Sequence, residues 1–297
     1  MPTFTASDLP DMKSRTVIVT GSNSGIGRAA ARALASRGAR VVLAVRNLDK
    51  GREAAETMQG DTEVRSLDLA SLESVRRFAV EWNGDVDILI NNAGVMVPPL
   101  ARTVDGFEMQ LGTNHLGHFA LTNLLLDRIT SRVVTISSYV HHFAKVDFDD
   151  LNWERKRYRA WRAYGQSKLA NLLFTADLQR RLAAAGSNVT AVAAHPGYAA
   201  TNLQSHSGRR SMDFFMAIGN RLFAQDDQGG ALPTLYAAVA DIPGNSYVGP
   251  GGFMEQRGSP KLVGRSRAAR DADAARRLWE VSEELTGVKF PLQTPAD

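Results

Sequence analysis

The sequence predicts an α/β fold: a single-domain, doubly wound parallel sheet of about seven strands with helices on both faces. Three observations carry this expectation. Short β-branched runs alternate with helical patterns along the first two-thirds of the chain. The runs are apolar almost throughout, as strands buried on both faces are. The first run passes through a glycine-rich turn, TGSNSGIG at residues 20 to 27, straight into a helical segment. Strand, glycine loop and helix in that order open a dinucleotide-binding Rossmann unit.

RTVIVT (15 to 20) is the first strand, and GRAAARALASRG (27 to 38) is an alanine-rich helix stopped by Gly38. ARVVLAV (39 to 45) is the second strand and TEVRSLDL (62 to 69) the third. SLESVRRFAVEW (71 to 82) is a helix capped by Ser71. VDILINNAG (86 to 94) is the fourth strand, followed by one long helix over 107 to 126. SRVVTISS (131 to 138) is the fifth strand, AYGQSKLANLL (163 to 173) a helix, NVTAVAAHPG (188 to 197) the sixth strand and SYVGP (246 to 250) the seventh. No repeat or linker divides the chain, so residues 1–297 are expected to form one domain. A substrate lid is expected over about 198–226 and a C-terminal extension over about 250–297.

The 297 residues are 44% hydrophobic and 22% charged, an ordinary globular composition. Cysteine is absent, which removes disulfides, thiolate nucleophiles and cysteine-ligated metals. That fits a reducing compartment, and a cytoplasmic location is expected. The N-terminal MPTFTASDLPDMKSR lacks the pattern of a signal peptide. No apolar run is long enough for a transmembrane anchor. The net charge is +4. Basic residues interleave with acids, as in RSRAARDADAARR (265 to 277), so a solvated helix face is expected there and no nucleic-acid partner.

Gly21 lets the chain leave the first strand sharply, and Gly25 and Gly27 remove Cβ atoms so that the backbone can approach a pyrophosphate and the helix can pack on the sheet. The helix N-terminus then faces the anion. A P-loop needs lysine after its last glycine, and Arg28 stands there; a hydrolase elbow needs serine where Asn23 stands. The loop Gly21, Ser22, Asn23, Ser24, Gly25, Ile26 and Gly27 is therefore read as cofactor-binding. At the end of the second strand an acid would hold the ribose hydroxyls of NAD, but LAVRN supplies Arg46. A guanidinium suits a 2′-phosphate, so NADP(H) is the expected cofactor, with Arg28 as a possible aid. The alternative for Arg46 is a surface pair with Asp49. Asp68, with Leu69 beside it, ends the third strand where it can accept from an adenine amino group. Asn92, Ala93 and Gly94 end the fourth strand and line the crevice.

Tyr164 and Lys168 lie at i, i+4, on one helix face. A tyrosine titrates near 10. A nearby cation brings it toward neutrality and makes it a proton donor and acceptor beside a hydride carrier. His141 and His142 are adjacent, and His115 and His118 have no carboxylate at ligand spacing, so no metal site is expected. His195 is expected to set its loop rather than to exchange protons.

TGSNSGIG, NNAG, Asn114 within TNHLGHF, ISS (136 to 138), YGQSK (164 to 168) and HPG (195 to 197) occur in one order along the chain. In that order and spacing the sequence resembles the short-chain dehydrogenase/reductase family. SSYVHHFAKVDFDDLNWE together with AYGQSKLANLLFTADLQRRL is similar to its retinol dehydrogenase-like branch. The resemblance implies that Tyr164 is the general acid/base and that Lys168 binds the nicotinamide ribose and lowers the tyrosine pKa. It implies that Ser138 bonds the substrate oxygen while Ser137 packs into the strand, and that Asn114 holds a relay water. It implies that Pro196, Gly197 and Thr201 contact the carboxamide, and that the protein is a homo-oligomer, dimer or tetramer. The stretch from Ser138 to Tyr164 is long and carries Phe143, Phe148, Trp153, Tyr158 and Trp161, to wall the substrate site or an interface.

The loop after HPG bears Tyr198, Leu203, Met212, Phe214, Phe215 and Met216 among others, which favours a small lipophilic substrate. The expected function is interconversion of a lipophilic ketone or aldehyde and its alcohol, with reduction favoured by analogy. Two rivals remain open: an epimerase or dehydratase on the same fold, and a non-catalytic NADP(H) sensor.

Overall fold

The computed structural model describes residues 4–197 and 227–293. Among these residues one eight-stranded sheet runs in the order β3-β2-β1-β4-β5-β6-β7-β8. The strands are β1 (Thr16–Thr20), β2 (Arg40–Val45), β3 (Thr62–Ser66), β4 (Val86–Asn91), β5 (Ile129–Ile136), β6 (Thr190–Ala194), β7 (Tyr247–Pro250) and β8 (Pro260–Leu262). All neighbours pair in parallel except β7 and β8. The doubly wound parallel sheet is therefore present, with one edge strand beyond the expected seven. β8 is three residues long, two of them exposed, and so has no apolar run to announce it.

The side-chain alternation of the strands builds two apolar layers. Val17 and Val19 face α1 (Gly25–Ser36) and α7 (Asp227–Val239), where Ala30, Leu34, Ala231 and Leu235 are buried against them. Ile18 and Leu89 face α3 (Leu72–Val80), α5 (Gly117–Leu125) and α6 (Ala160–Ala184), through Val75, Phe119 and Leu178. α2 (Leu48–Glu56) joins β2 to β3, its first turn capped by Asn47. α8 (Ala272–Thr286) packs outside α6, with Trp279 stacked on Phe174 at 5.7 Å. The 265–277 segment is thus only half helix: Asp271 caps α8, accepting from the Asp273 and Ala274 amides.

Two other elements differ from expectation. The third strand stops at Ser66, because the chain turns at once: the Asp68 carboxylate accepts from the Ala70 amide, and the Asp68 carbonyl from Ser71. Ser71 then caps α3 as expected. The long helix is interrupted. A single turn, α4 (Met109–Leu111), capped by Glu108, passes into a π-helical segment, Gly112–Leu116, before α5. Such wide turns collect at functional sites, and this one carries Asn114.

The strand order reverses between β1 and β4. A crevice therefore opens at their carboxyl ends, where the glycine loop leaves β1 and NNAG leaves β4.

Candidate active site

Gly21 leaves β1 at φ +65°, in the region glycine enters freely, and a Cβ there would lie 2.8 Å from the Ala93 Cβ. Gly27 lets the start of α1 pack closely on the ends of β1 and β4. A Cβ at Gly27 would lie 2.4 Å from Asn92 Nδ2 and 2.8 Å from the Gly21 carbonyl oxygen. It makes room for Asn92, whose Nδ2 donates to the Thr20 carbonyl at 2.8 Å. Gly27→Ala is expected to break that bond, costing about 1 kcal/mol. In a thermal melt this reads as a Tm about 2–4 °C lower; an unchanged Tm would show that Asn92 reseats without loss.

Within the loop, the buried Ser22 hydroxyl donates to the Val19 carbonyl at 2.8 Å, and Ile26 belongs to the core. Ser24 precedes α1 but its side chain does not cap the helix. The side chains of Asn23 and Ser24 bond no other described residue, so they and the open amides of the first turn of α1 fit an anionic cofactor group. Arg46 is exposed just past β2, and Arg28 is half-buried on α1. Neither forms an ion pair among the described residues. The surface pair with Asp49 is not made: Asp49 binds Arg52 at 2.8 Å. Asp68 spends one carboxylate oxygen on its own turn, and Leu69 is buried. Ala93 and Gly94 are half-exposed along the crevice, as are Pro196 and Gly197 beyond β6. Thr201 and the expected lid lie outside the described residues.

Ser138 follows β5 and is half-exposed, whereas Ser137 is buried and donates to the Lys168 carbonyl at 2.8 Å. Tyr164 and Lys168 are both buried on α6, with Lys168 Nζ 5.7 Å from the tyrosine ring centroid. The ammonium donates to the Ile136 carbonyl at 3.1 Å, and Asn171 Nδ2 donates to the same oxygen at 2.9 Å. Asn114 is wholly buried. Its side chain clasps Val95, accepting from the amide at 2.8 Å and donating to the carbonyl at 3.0 Å, and donates to Ser167 at 2.9 Å. It meets Lys168 only across Gly94. A Cβ on that glycine would lie 3.1 Å from Asn114 Oδ1 and 3.5 Å from Lys168 Nζ.

Burial lowers Lys168 to about 8. Burial also pushes Tyr164 up to about 12, against the hydroxyl of the facing Ser138. In the chain alone, burial sets the direction of the tyrosine's shift. At neutral pH it keeps its proton beside a cation, which is the state of a proton donor.

The Lys168 value has a testable consequence. The free chain loses the ammonium as pH rises through about 8, so kcat/KM for carbonyl reduction is expected to fall above that pH with a log–log slope of about −1. Stability moves the other way. Between about 8 and the unperturbed 10.5 the unfolded chain binds more protons at this residue, so its contribution to stability rises with pH. A pH–rate profile flat to pH 10, with the fold intact by circular dichroism, would remove the lysine charge from the chemistry.

Two of the described histidines are held by local contacts. His195 accepts from the Gly197 amide at 3.2 Å and bonds Glu255 at 3.0 Å, fixing the loop after β6 as expected. His118 bridges Thr20, at 2.9 Å, and the Asn114 carbonyl, at 3.1 Å. Burial lowers it to about 4, which keeps it neutral. Of the long stretch before Tyr164, Phe148 lies beneath the Arg277 guanidinium, and Tyr158 turns inward to bond Glu108 and Gln110. Glu108 and Gln110 were missed in the sequence reading; a polar pair inside an apolar helix start was the available signal.

The arrangement is a crevice at a strand-order reversal, with a buried tyrosine–lysine pair and a serine at its inner end. The family model for short chain dehydrogenases matches residues 15–211, and the chain belongs to that family, in its retinol dehydrogenase-like branch. It is 44% identical to human retinol dehydrogenase 13 over 93% of this chain and 86% of that protein. Human retinol dehydrogenase 12 is 42% identical over 94% and 88%. The crystal structure of an uncharacterized protein from Mycobacterium paratuberculosis superposes with a TM-score of 0.87 at 54% identity, covering 98% of this chain and 100% of that one. A Beutenbergia cavernae protein, described as an NAD(P)-dependent gluconate 5-dehydrogenase with bound NADP at low occupancy, superposes with a TM-score of 0.59 at 27% identity, over 77% and 91%. The chain is therefore an oxidoreductase of carbonyl/alcohol pairs, acting on CH–OH donors with a nicotinamide cofactor. Among the described residues no helix is long and apolar enough to cross a membrane.

Proposed function

We propose that this chain is an NADP(H)-dependent reductase of lipophilic aldehydes or ketones, retinal-like carbonyls among them. The tyrosine–lysine pair on α6, buried and facing Ser138, is the observation that carries the catalytic part. The unpaired Arg46 at the end of β2 supports a 2′-phosphate, as does the half-buried Arg28. The retinol dehydrogenase relatives support the lipophilic substrate. When bound, the nicotinamide supplies the hydride. The chain's residues do the rest. Ser138 orients the carbonyl oxygen, Tyr164 gives it a proton, and Lys168 holds positive charge behind the phenol. In the alcohol-oxidising direction the same phenol, as phenolate, would take the proton back.

A sensor without chemistry has no use for burying both a tyrosine and a lysine, each at a desolvation cost. An epimerase or dehydratase has no feature of its own in the described residues. The reading includes one functional domain and a cytoplasmic location, supported by the globular, cysteine-free composition, and a dimer or tetramer, supported by the family resemblance. Its test is NADPH oxidation followed by near-ultraviolet absorbance, with retinal, steroid ketones and alkyl aldehydes offered and NADH as control. Turnover of at least one carbonyl, faster with NADPH, is expected. Tight NADPH binding with no turnover of any carbonyl would promote the sensor instead.

A further inference from the structure

We propose that Gln110 is a positioning residue that holds a strained strap, Val95–Val97, as one wall of the carbonyl site, and that Met96 and Val97 on this strap set the size of substrate accepted. The inference rests on the carbonyl reading above.

Val97 has φ +56°. A β-branched residue in the left-handed region is a true outlier. Such strain persists only where the surroundings over-determine it, and it gathers at functional sites. Here the surroundings are explicit. The Val97 amide donates to Gln110 Oε1 at 2.9 Å. Both backbone groups of Val95 end on Asn114. Three backbone groups of the strap are thus held by two side chains of one helical stretch, α4 and the π-helical segment.

Gln110 is itself fixed. It is wholly buried, and its Nε2 donates to the Tyr158 hydroxyl at 2.8 Å and to the Ala160 carbonyl at 3.0 Å. The Tyr158 hydroxyl donates to Glu108 Oε1 at 2.9 Å. Glu108 also takes the Gln110 and Leu111 amides, at 3.0 and 2.8 Å. Every polar atom of the Gln110 side chain therefore has a partner, and a buried network so satisfied admits one arrangement. Its anchors are the long stretch before Tyr164 and the first residue of the helix that carries Tyr164 and Lys168.

The strap begins where the chemistry is. A Cβ at Gly94, the residue before it, would lie 3.1 Å from Asn114 Oδ1 and 3.5 Å from Lys168 Nζ, so both atoms border the space beside this glycine. Val95, Met96 and Val97 are half-exposed and directly follow Gly94, and on this proposal these three apolar residues lie along the crevice. An unstrained loop would serve if the segment were only a connection. A strained one, held by a dedicated glutamine, fixes a wall.

The test uses the full chain and four variants: Gln110→Leu, Val97→Asn, the two together, and Tyr158→Phe. Asparagine tolerates the left-handed region, so Val97→Asn removes the strain that Gln110 must hold. The first readout is hydrogen exchange at the Val95 amide, which Gln110 does not touch, and it needs no turnover. Gln110→Leu is expected to speed that exchange about tenfold as the strap relaxes away from Asn114. Added to Val97→Asn, the same change is expected to speed it by less than about threefold. Tyr158→Phe, which keeps the glutamine and one of its anchors, moves exchange in the same direction by less.

The second readout is the ratio of kcat/KM for retinal to that for hexanal with NADPH. Gln110→Leu is expected to shift this ratio about tenfold toward unity, and the shift shrinks in the Val97→Asn background. Unchanged Val95 exchange in both Gln110→Leu and Tyr158→Phe overturns the strap. An equal acceleration in both backgrounds overturns the strain argument. A loss of turnover with the ratio unchanged overturns the wall and leaves a purely structural glutamine. A wild-type chain that exchanges as expected yet turns over neither aldehyde overturns the carbonyl reading, and the wall's role with it, while the exchange data stand apart.

Discussion

Tyr164→Phe is expected to lower kcat for carbonyl reduction by about 10²–10⁴-fold, the usual worth of a positioned general acid, while NADPH binding changes little. The phenol is buried on α6 and pushed up to about 12 by that burial, so in the free chain it carries a proton near neutral pH. Removing the oxygen removes the proton and the partner of Ser138, and leaves the ring in place against Trp161. The fold should tolerate this, because the lost group made its contacts toward the crevice. The measurement is steady-state NADPH oxidation alongside a fluorescence titration of NADPH. Equal turnover in both proteins would move the acid elsewhere, and parallel loss of binding and turnover would make Tyr164 a cofactor contact only.

Arg46→Asp is expected to weaken NADPH binding by about 10²-fold, from the loss of charge-assisted bonds worth about 1.5–3 kcal/mol together with new repulsion. NADH binding should hold or improve, since a carboxylate at the end of β2 can accept from ribose hydroxyls. The argument is local. Arg46 is exposed and forms no ion pair among the described residues, and the only nearby acid considered as its partner, Asp49, is occupied by Arg52. No ion pair among the described residues is therefore lost on substitution, and a change in Kd reports the cofactor. Because the effect is electrostatic, the wild-type preference should shrink as salt rises. Unchanged Kd values for both cofactors would leave Arg46 as surface charge and pass the 2′-phosphate question to Arg28.

Strand positions, the glycine loop and the Tyr164–Lys168 spacing were legible because they repeat local rules. Apolar strands buried on both faces lack polar alternation, and i, i+4 places two side chains on one helix face. The resemblance added Asn114 and Ser138, which no local rule singles out. The short edge strand β8 and the break at Gly112–Leu116 were not legible. A three-residue strand has no period, and a π-helical turn keeps the composition of the α-helix around it. The partners of the described histidines, Thr20 for His118 and Glu255 for His195, were not legible, because they lie far away in sequence.

By itself the sequence determined the fold class and the crevice, because each depends on residues close together in the chain or on a family order of motifs. Only the tertiary structure decided why Gly27 must be glycine, which carbonyl holds Lys168, and what keeps Val97 in a strained conformation. Those answers are contacts between residues far apart in sequence, such as Gly27 with Asn92 and Gln110 with Tyr158. The direction in which Tyr164 is shifted also came from the fold. A pKa answers to burial as well as to the nearest charge, and burial is a property of the packed chain.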